Sequence, residues 1–249
     1  MSEYSHLKFG CEFEFYLNAS LEDEIKDALK EILPPNVRLQ FNLETNDDHN
    51  MNYKNEPSLD GLGWKEITTP ICSYEELKNY ISRIATIVDE NGQTNEDTGF
   101  HIHISTIDET QEVDFYKFML LSNDSSLLSN WGKRNAFSRN VMDILTDLDM
   151  DEAKQVKNKK GRVWNLEKRE TNHIEIRTIG GTNYQQKVDQ ILCELDQFIE
   201  IFDRSIKNNG KDKEYKTILQ KHMQIVNKAP KERKEKFLQL LKWFSTHSS

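Results

Sequence analysis

The sequence predicts an α+β fold built around an antiparallel β-sheet. Three stretches, residues 10–15, 99–105 and 173–177, alternate polar and apolar side chains with the period of two that is typical of a half-buried strand. Helical segments lie irregularly between the strands, unlike the regular strand–helix–strand units of a parallel sheet. Each of the three strands carries two or three ionisable side chains on one face and aromatic or branched apolar ones on the other. We therefore expect one sheet whose polar face is a functional site.

The apolar pattern also predicts the order of the elements. A helix follows the first strand, where Ser20 can cap it and the Pro34-Pro35 pair would end it. A long helix follows Ser73 and would end at Asn91-Gly92 as a C-cap. The predicted strands are 7–17, 37–43, 53–59, 64–70, 99–105, 163–166 and 174–179. The predicted helices are 21–33, 74–91, 113–121, 136–148 and 186–206, with two more after residue 210.

Length and composition limit the class of protein. A chain of 249 residues can bury a sizeable core, and its hydrophobic content of 36% beside 30% charged residues is that of a globular protein. We expect residues 1–208 to form one domain, with residues 209–249 as a basic helical extension packed on it. The net charge of −9 argues against a nucleic-acid partner, which needs a basic face.

Cysteine usage and hydropathy predict the compartment. Cys11, Cys72 and Cys193 lie far apart and form no CxxC motif, so we expect reduced thiols in a reducing compartment. Residues 1–8 contain no apolar core of a signal peptide, and no apolar run approaches membrane-spanning length. We expect a cytoplasmic protein that has no membrane partner.

The ionisable residues on the polar strand faces predict a metal site that handles phosphate. Several carboxylates on one sheet face would repel each other unless cations lie between them. Carboxylate oxygens with an imidazole suit Mg²⁺ or Mn²⁺, whereas zinc collects more nitrogen or sulfur. An arginine beside such a cluster suits a phosphate whose developing charge must be stabilised. The residues concerned are Glu12, Glu14, Glu66, His101, His103, Glu175 and Arg177.

Five short motifs occur together in a recognisable order. They are Gly-x-Glu-x-Glu-Phe at 10–15, Glu-Ile-x-Thr-Pro at 66–70, Gly-Phe-His-Ile-His-Ile-Ser at 99–105, Val-Trp-Asn-Leu at 163–166, and Ile-Glu-Ile-Arg at 174–177 followed by Gly-Gly-Thr. In this order and spacing the chain, over residues 8–202, resembles the amidoligase family of carboxylate–amine ligases, relatives of glutamine synthetase and glutamate–cysteine ligase. None of the usual phosphate-binding loops, GxxxxGK[ST] or GxGxxG, is present.

The resemblance implies a fold and a reaction. The expected fold is a glutamine-synthetase-like curved antiparallel sheet with helices packed on one face, and ATP with two or more Mg²⁺ or Mn²⁺ ions on the other. In the reaction, ATP phosphorylates a small-molecule or peptide carboxylate, and an amine then displaces phosphate to give an amide or isopeptide bond. The resemblance leaves the two substrates and the oligomeric state open.

The resemblance also implies roles for individual residues. The metal ligands would be Glu12, Glu14, Glu66, His101 and Glu175. The groups near ATP would be His103, Ser105, Asn165 and Arg177. The catalytic groups would be Glu66, Arg177, Arg134 and Arg139. Arg177 would stabilise the transferred phosphoryl group, and Arg134 and Arg139 would hold a carboxylate or phosphate, unless they are ordinary surface arginines.

Glu56 departs from the family pattern. Members tend to carry Asp-x-Ser-Leu where this chain has Glu-Pro-Ser-Leu at residues 56–59. The carboxylate there is one methylene longer, which leaves its role open.

Three alternative interpretations compete with the ligase. Glu175 and Arg177 can form a purely structural ion pair across two positions of one strand face. The chain can be a non-catalytic descendant that binds a nucleotide or a protein partner. His101 and His103 with Asp108 approximate the His-x-His-and-carboxylate motif of a cupin-like metal site, although a cupin would consist of short, regularly spaced strands.

Overall fold

The sheet at the centre of the protein is mostly antiparallel. The structure, a computed structural model, describes residues 4–41, 48–56, 63–122, 131, 164–165, 171–206, 212–228, 230–232, 234–235 and 237–239. Its strands are β1 (Leu7–Leu17), β2 (Leu39–Phe41), β3 (Met51–Asn55), β4 (Trp64–Thr68), β5 (Gly92–Gln93), β6 (Gly99–Thr106), β7 (Trp164–Asn165) and β8 (His173–Gly180). They form one open sheet in the order β2–β3–β4–β1–β6–β8–β7, with β5 paired to β1. Only the β2–β3 pair is parallel.

The described helices accompany this sheet and confirm the α+β class. They are α1 (Glu22–Glu31), α2 (Tyr74–Asn91), α3 (Phe115–Leu121), α4 (Val188–Ser205) and α5 (Lys213–Lys228). Helix α2 packs against β1, and α4 packs against both α2 and β6. None of the described helices combines the length and the apolar character needed to span a bilayer.

The two faces of β1 separate the core from the polar face. Phe9, Cys11, Phe13 and Phe15 alternate along one side of the strand and are all buried beneath the helices. Phe13 packs edge-on against Phe100 of β6, with ring centroids 4.7 Å apart. Full burial of each such side chain contributes about 1.5–3 kcal/mol, which holds the strand pair against the helical layer. The intervening residues of β1 are therefore presented on the opposite face.

The start of α1 and the end of α2 differ from the sequence prediction in the residues or the backbone conformation that cap them. Asn18, not Ser20, provides the first cap: its side chain accepts from Ser20 N at 3.1 Å and starts a short 3₁₀ turn over Ala19–Leu21 before α1. The Ser73 cap of α2 is confirmed as a full capping box with Glu76. Gly92 follows α2 as predicted, but its backbone is extended because it already pairs with Leu17.

The C-terminal helices lie against α3. The His222 ring of α5 contacts Tyr116, and both rings contact Phe237. Arg204 at the end of α4 holds Asp212 through two guanidinium nitrogens at 2.9–3.0 Å, which anchors the start of α5. The residues of 231–239 that the structure describes are helical. The helix predicted over residues 136–148 lies outside the described residues.

Candidate active site

Strand register brings the predicted site residues together on the polar face. Glu12 of β1 lies opposite His101 of β6, and Glu14 of β1 lies opposite Glu66 of β4. Across the next ladder, His103 of β6 lies opposite Glu175 of β8. Directly opposed residues have Cβ atoms about 4.5–5.5 Å apart, which is close enough for side chains to share a ligand. The four predicted carboxylates therefore share one sheet face.

A first cluster contains Glu12, His103 and Glu175, whose potential ligand atoms all lie within 4.8 Å of one another. His103 Nε2 is 3.3 Å from Glu12 Oε1. Removal from water raises the pKa of the Glu12 carboxyl, but His103 and His101 outweigh this effect and hold the pKa well below its ordinary value. Burial likewise raises the pKa of Glu175, and His101 and Arg177 lower it further than burial raises it. Both carboxylates are thus ionised and suited to a cation.

A second cluster contains Glu14, Glu56 and Glu66, again with ligand atoms within 4.8 Å. All three residues are buried. Burial, together with the neighbouring Glu12 and Glu56, raises the pKa of Glu66 to about 8, although Lys54 opposes the shift. Carboxylates this close disfavour each other's ionised form, and a divalent cation between them would relieve that repulsion. The structure thereby gives Glu56, whose role the sequence left open, a place among the candidate ligands.

His101 lies between the two clusters. Its side chain is 2% exposed, and Nδ1 lies 3.0 Å from Glu12 Oε2 and 3.5 Å from Glu175 Oε1. Nε2 is buried, finds no hydrogen-bond partner among the described residues, and lies 3.6 Å from Glu14 Oε1. Buried polar atoms are normally satisfied, so this nitrogen indicates a missing partner such as a cation. Carboxylate oxygens with one or two imidazoles fit Mg²⁺ or Mn²⁺.

Arg177 reaches the site through a β-bulge. Between the Phe100–Ile179 and Ile102–Ile176 pairs, β8 has one residue more than β6, so Arg177 and Thr178 together oppose His101. Bulges of this kind redirect a side chain beside a functional site. The Arg177 guanidinium donates to Glu175, and Nη1 lies 3.3 Å from His101 Nδ1. Its fork therefore lies at the edge of the first cluster.

A cleft of about 530 Å³ opens beside the first cluster. Its walls include His103 and Ser105, two of the four residues predicted to lie near ATP. His103 Nδ1 lies 3.0 Å from Nε2 of His173, which also lines the cleft, and the two rings stack. Lys8 lies opposite Ser105 in the β1–β6 ladder and adds a half-buried ammonium group. These donors suit an anionic ligand.

Other predicted residues cannot be placed as side chains. Asn165 pairs with Glu175 in the β7–β8 ladder, and the structure describes only this backbone position. Arg134 and Arg139 lie outside the described residues.

Sequence reasoning missed Lys54, Lys8 and His173. The alternation that selected Glu175 also puts His173 on its face, and Lys8 is likewise in phase with Glu12. These two residues could therefore have been found from the pattern. Lys54 could not, because its importance depends on the pairing of β3 with β4.

Each of the two clusters has the ligand types and spacing that could hold a metal ion, and the cleft lies beside the first. No protein-family model matches this chain, and a search of the curated proteins finds no similar sequence.

Proposed function

We propose that this protein is an ATP- and Mg²⁺-dependent carboxylate–amine ligase on a glutamine-synthetase-like sheet. The observation that carries the proposal is the arrangement of two carboxylate clusters on one sheet face, together with the buried Nε2 of His101, which lies beside Glu14 and has no hydrogen-bond partner among the described residues. The five carboxylates of the two clusters outnumber the two fixed cations of the described chain that pair with them, Lys54 and Arg177, and bound divalent cations would offset the remaining charge. Phosphoryl transfer from a metal-bound nucleotide uses metal ions and an arginine to stabilise the charge of the transferred group, and a cleft to hold the nucleotide. The described groups match these requirements.

The proposal assigns each cluster one ion. Glu12, His103 and Glu175 would hold the first, and the carboxylates of the second cluster, with His101 Nε2 beside Glu14, would hold the other. Bound Mg²⁺ would draw charge away from the phosphate oxygens and hold them in line with the attacking group. The low pKa of Glu12 keeps a full negative charge available for this purpose.

The nucleotide would occupy the cleft beside Glu12. His103, Ser105 and Lys8 supply donors along one wall, and these can orient phosphate oxygens. Arg177 lies on the other side of the first cluster, where its planar fork can hold two oxygens of the transferred group. An oxygen of the substrate carboxylate would attack the γ-phosphorus, and ADP would leave. The amine would then attack the acyl carbon of the acyl phosphate, release phosphate and lose a proton.

The cupin-like alternative finds no support in the position of Asp108. This residue is exposed just beyond the end of β6, and its carboxylate accepts hydrogen bonds from the backbone and hydroxyl groups of Thr110. The carboxylate of Asp108 is therefore used in hydrogen bonds within its own turn and not as a partner of the two histidines.

The direct test is ADP release by the purified protein with pools of amino acids and small peptides as acids and amines. The ligase predicts turnover that requires Mg²⁺ or Mn²⁺, an acid and an amine together. Calorimetric titration of a non-hydrolysable ATP analogue, with and without divalent metal, measures nucleotide binding separately from turnover. Equal analogue affinity with and without divalent metal would contradict the metal-bridged site. Metal-dependent binding without turnover in any pool would favour the non-catalytic descendant.

A further inference from the structure

The second cluster contains a positive charge that belongs to the protein itself. Lys54 lies opposite Glu66 in the β3–β4 ladder, and its Nζ donates to Glu66 Oε1 at 2.8 Å. The Thr68 hydroxyl donates to the same oxygen at 2.9 Å. One oxygen of a candidate metal ligand is therefore already used by two donors of the chain.

Lys54 is suited to leave this position. Its side chain is 27% exposed, whereas that of Glu66 is 6% exposed, so the ammonium approaches the cluster from the solvent side. Lysine is a compact charge on a flexible stem, unlike an arginine fork that is fixed by several hydrogen bonds. Rotation about such a stem would move the ammonium from Glu66 toward solvent.

We propose that Lys54 is a displaceable counter-ion, which neutralises the Glu14/Glu56/Glu66 cluster until a divalent cation binds there and then leaves Glu66. The inference rests on the metal-binding part of the proposed function. A divalent cation held by Glu66 and an ammonium on the same carboxylate would repel each other at close range. Nε2 of His101, buried and 3.6 Å from Glu14 Oε1, independently indicates a cation at this cluster besides the lysine. Lys54 thus weakens metal binding at one of the two sites and couples metal occupancy to its own position.

The first test is the affinity of Mn²⁺, measured by calorimetry on the full chain. Lys54→Met should bind one Mn²⁺ about tenfold more tightly than wild type, because a repelling unit charge has been removed. Lys54→Arg keeps the charge on a side chain that leaves less readily, so it should bind Mn²⁺ no more tightly than wild type. Lys65→Met is the control: Lys65 lies next to Glu66 in β4, is more buried than Lys54, and pairs with Glu22 and Asn55 instead of the cluster. Its Mn²⁺ affinity should be unchanged.

The second test is thermal stability with a chelator and with saturating Mn²⁺. Lys54→Met should lower Tm in the chelator, where three carboxylates lose their counter-ion, and Mn²⁺ should restore it. The Mn²⁺-induced gain in Tm should therefore exceed that of wild type. If Lys54→Met does not fold in the chelator, Lys54→Gln, which can still donate to Glu66, gives the same comparison.

Two outcomes overturn the inference and remain distinguishable. Equal Mn²⁺ affinity and an equal loss of Tm in both conditions would make Lys54 a structural ion-pair partner and leave the proposed function standing. Absence of Mn²⁺ binding to wild type and to every variant would overturn both the displacement and the metal-dependent function.

Discussion

Glu12 and His101 face each other across the β1–β6 ladder, with Glu12 Oε2 3.0 Å from His101 Nδ1. The other oxygen of Glu12 lies 3.3 Å from His103 Nε2. One carboxylate thus contacts both histidines of the His-x-His motif. This arrangement makes Glu12 the residue on which the first cluster depends most.

Glu12→Gln should abolish tight binding at the first cluster. The variant keeps the shape of the side chain but removes its charge. Loss even of residues that only support a metal ligand typically lowers affinity by about 10–100-fold, so at least this loss is expected for Mn²⁺. Calorimetric Mn²⁺ titration measures it. Glu22→Gln, on α1 and paired with Lys26 and Lys65, is the control that should leave metal affinity intact. Equal affinities in the two variants would remove Glu12 from the metal site.

His101→Ala and His103→Ala should differ in their effect on the nucleotide. Both remove an imidazole next to Glu12, so both should weaken Mn²⁺ binding by about tenfold or more. Only His103 also lines the cleft, so only His103→Ala should further weaken binding of an ATP analogue at saturating metal. Identical analogue affinities in the two variants would place the nucleotide elsewhere.

Arg177→Lys tests the mechanism separately from binding. If Arg177 only neutralises Glu175, lysine should replace it with little effect. If its fork holds two oxygens of the phosphoryl group, loss of that geometry should reduce acyl-phosphate formation by about 100–1,000-fold while metal and nucleotide still bind. Hydroxylamine trapping of the acyl phosphate, with an acid found in the turnover screen, provides the rate. Arg204→Lys, which weakens the pairing with Asp212 far from the site, should retain the wild-type trapping rate.

His222 should make the protein less stable in mild acid. The ring is 2% exposed between Tyr116 and Phe237, and burial lowers its pKa. The unfolded chain takes up a proton on this residue below about pH 6.5, whereas the folded chain resists it, so stability falls as pH drops. Urea midpoints between pH 7.5 and 5.5 should therefore fall more steeply in wild type than in His222→Leu. Parallel curves would show that His222 can ionise in place.

Gly63→Ala should destabilise more than Gly181→Ala. Both glycines have positive φ, +105° and +90°, where alanine costs about 1–2 kcal/mol. At Gly63 a Cβ would also lie 2.7 Å from Tyr16 Cε2 and 2.9 Å from the Leu17 carbonyl oxygen, whereas at Gly181 it meets nothing within 4 Å. The clash should add about 1–3 kcal/mol at Gly63. Urea unfolding of the two variants measures the difference, and equal losses would show that the backbone around Gly63 yields freely.

The sequence by itself determined the strands β1, β6 and β8 and their polar faces. Alternation with period two is local information: once residues 99–105 form a strand, His101 and His103 must share a side, whatever the strand pairs with. The same local reasoning determined that α2 begins after Ser73, because the capping box involves only residues three positions apart.

The tertiary structure alone decided which of those residues meet. The pairing of Glu14 with Glu66 and the entry of Glu56 and Lys54 into one cluster depend on strand order and register between segments distant in sequence. The bulge that sets Arg177 beside His101 depends on one extra residue in β8, which no alternation pattern reveals. Register is chosen by the packing of the whole apolar face against the helices, because a slip of one residue would turn every core side chain toward solvent. Local periodicity therefore selected the candidate residues, and non-local packing formed them into a site.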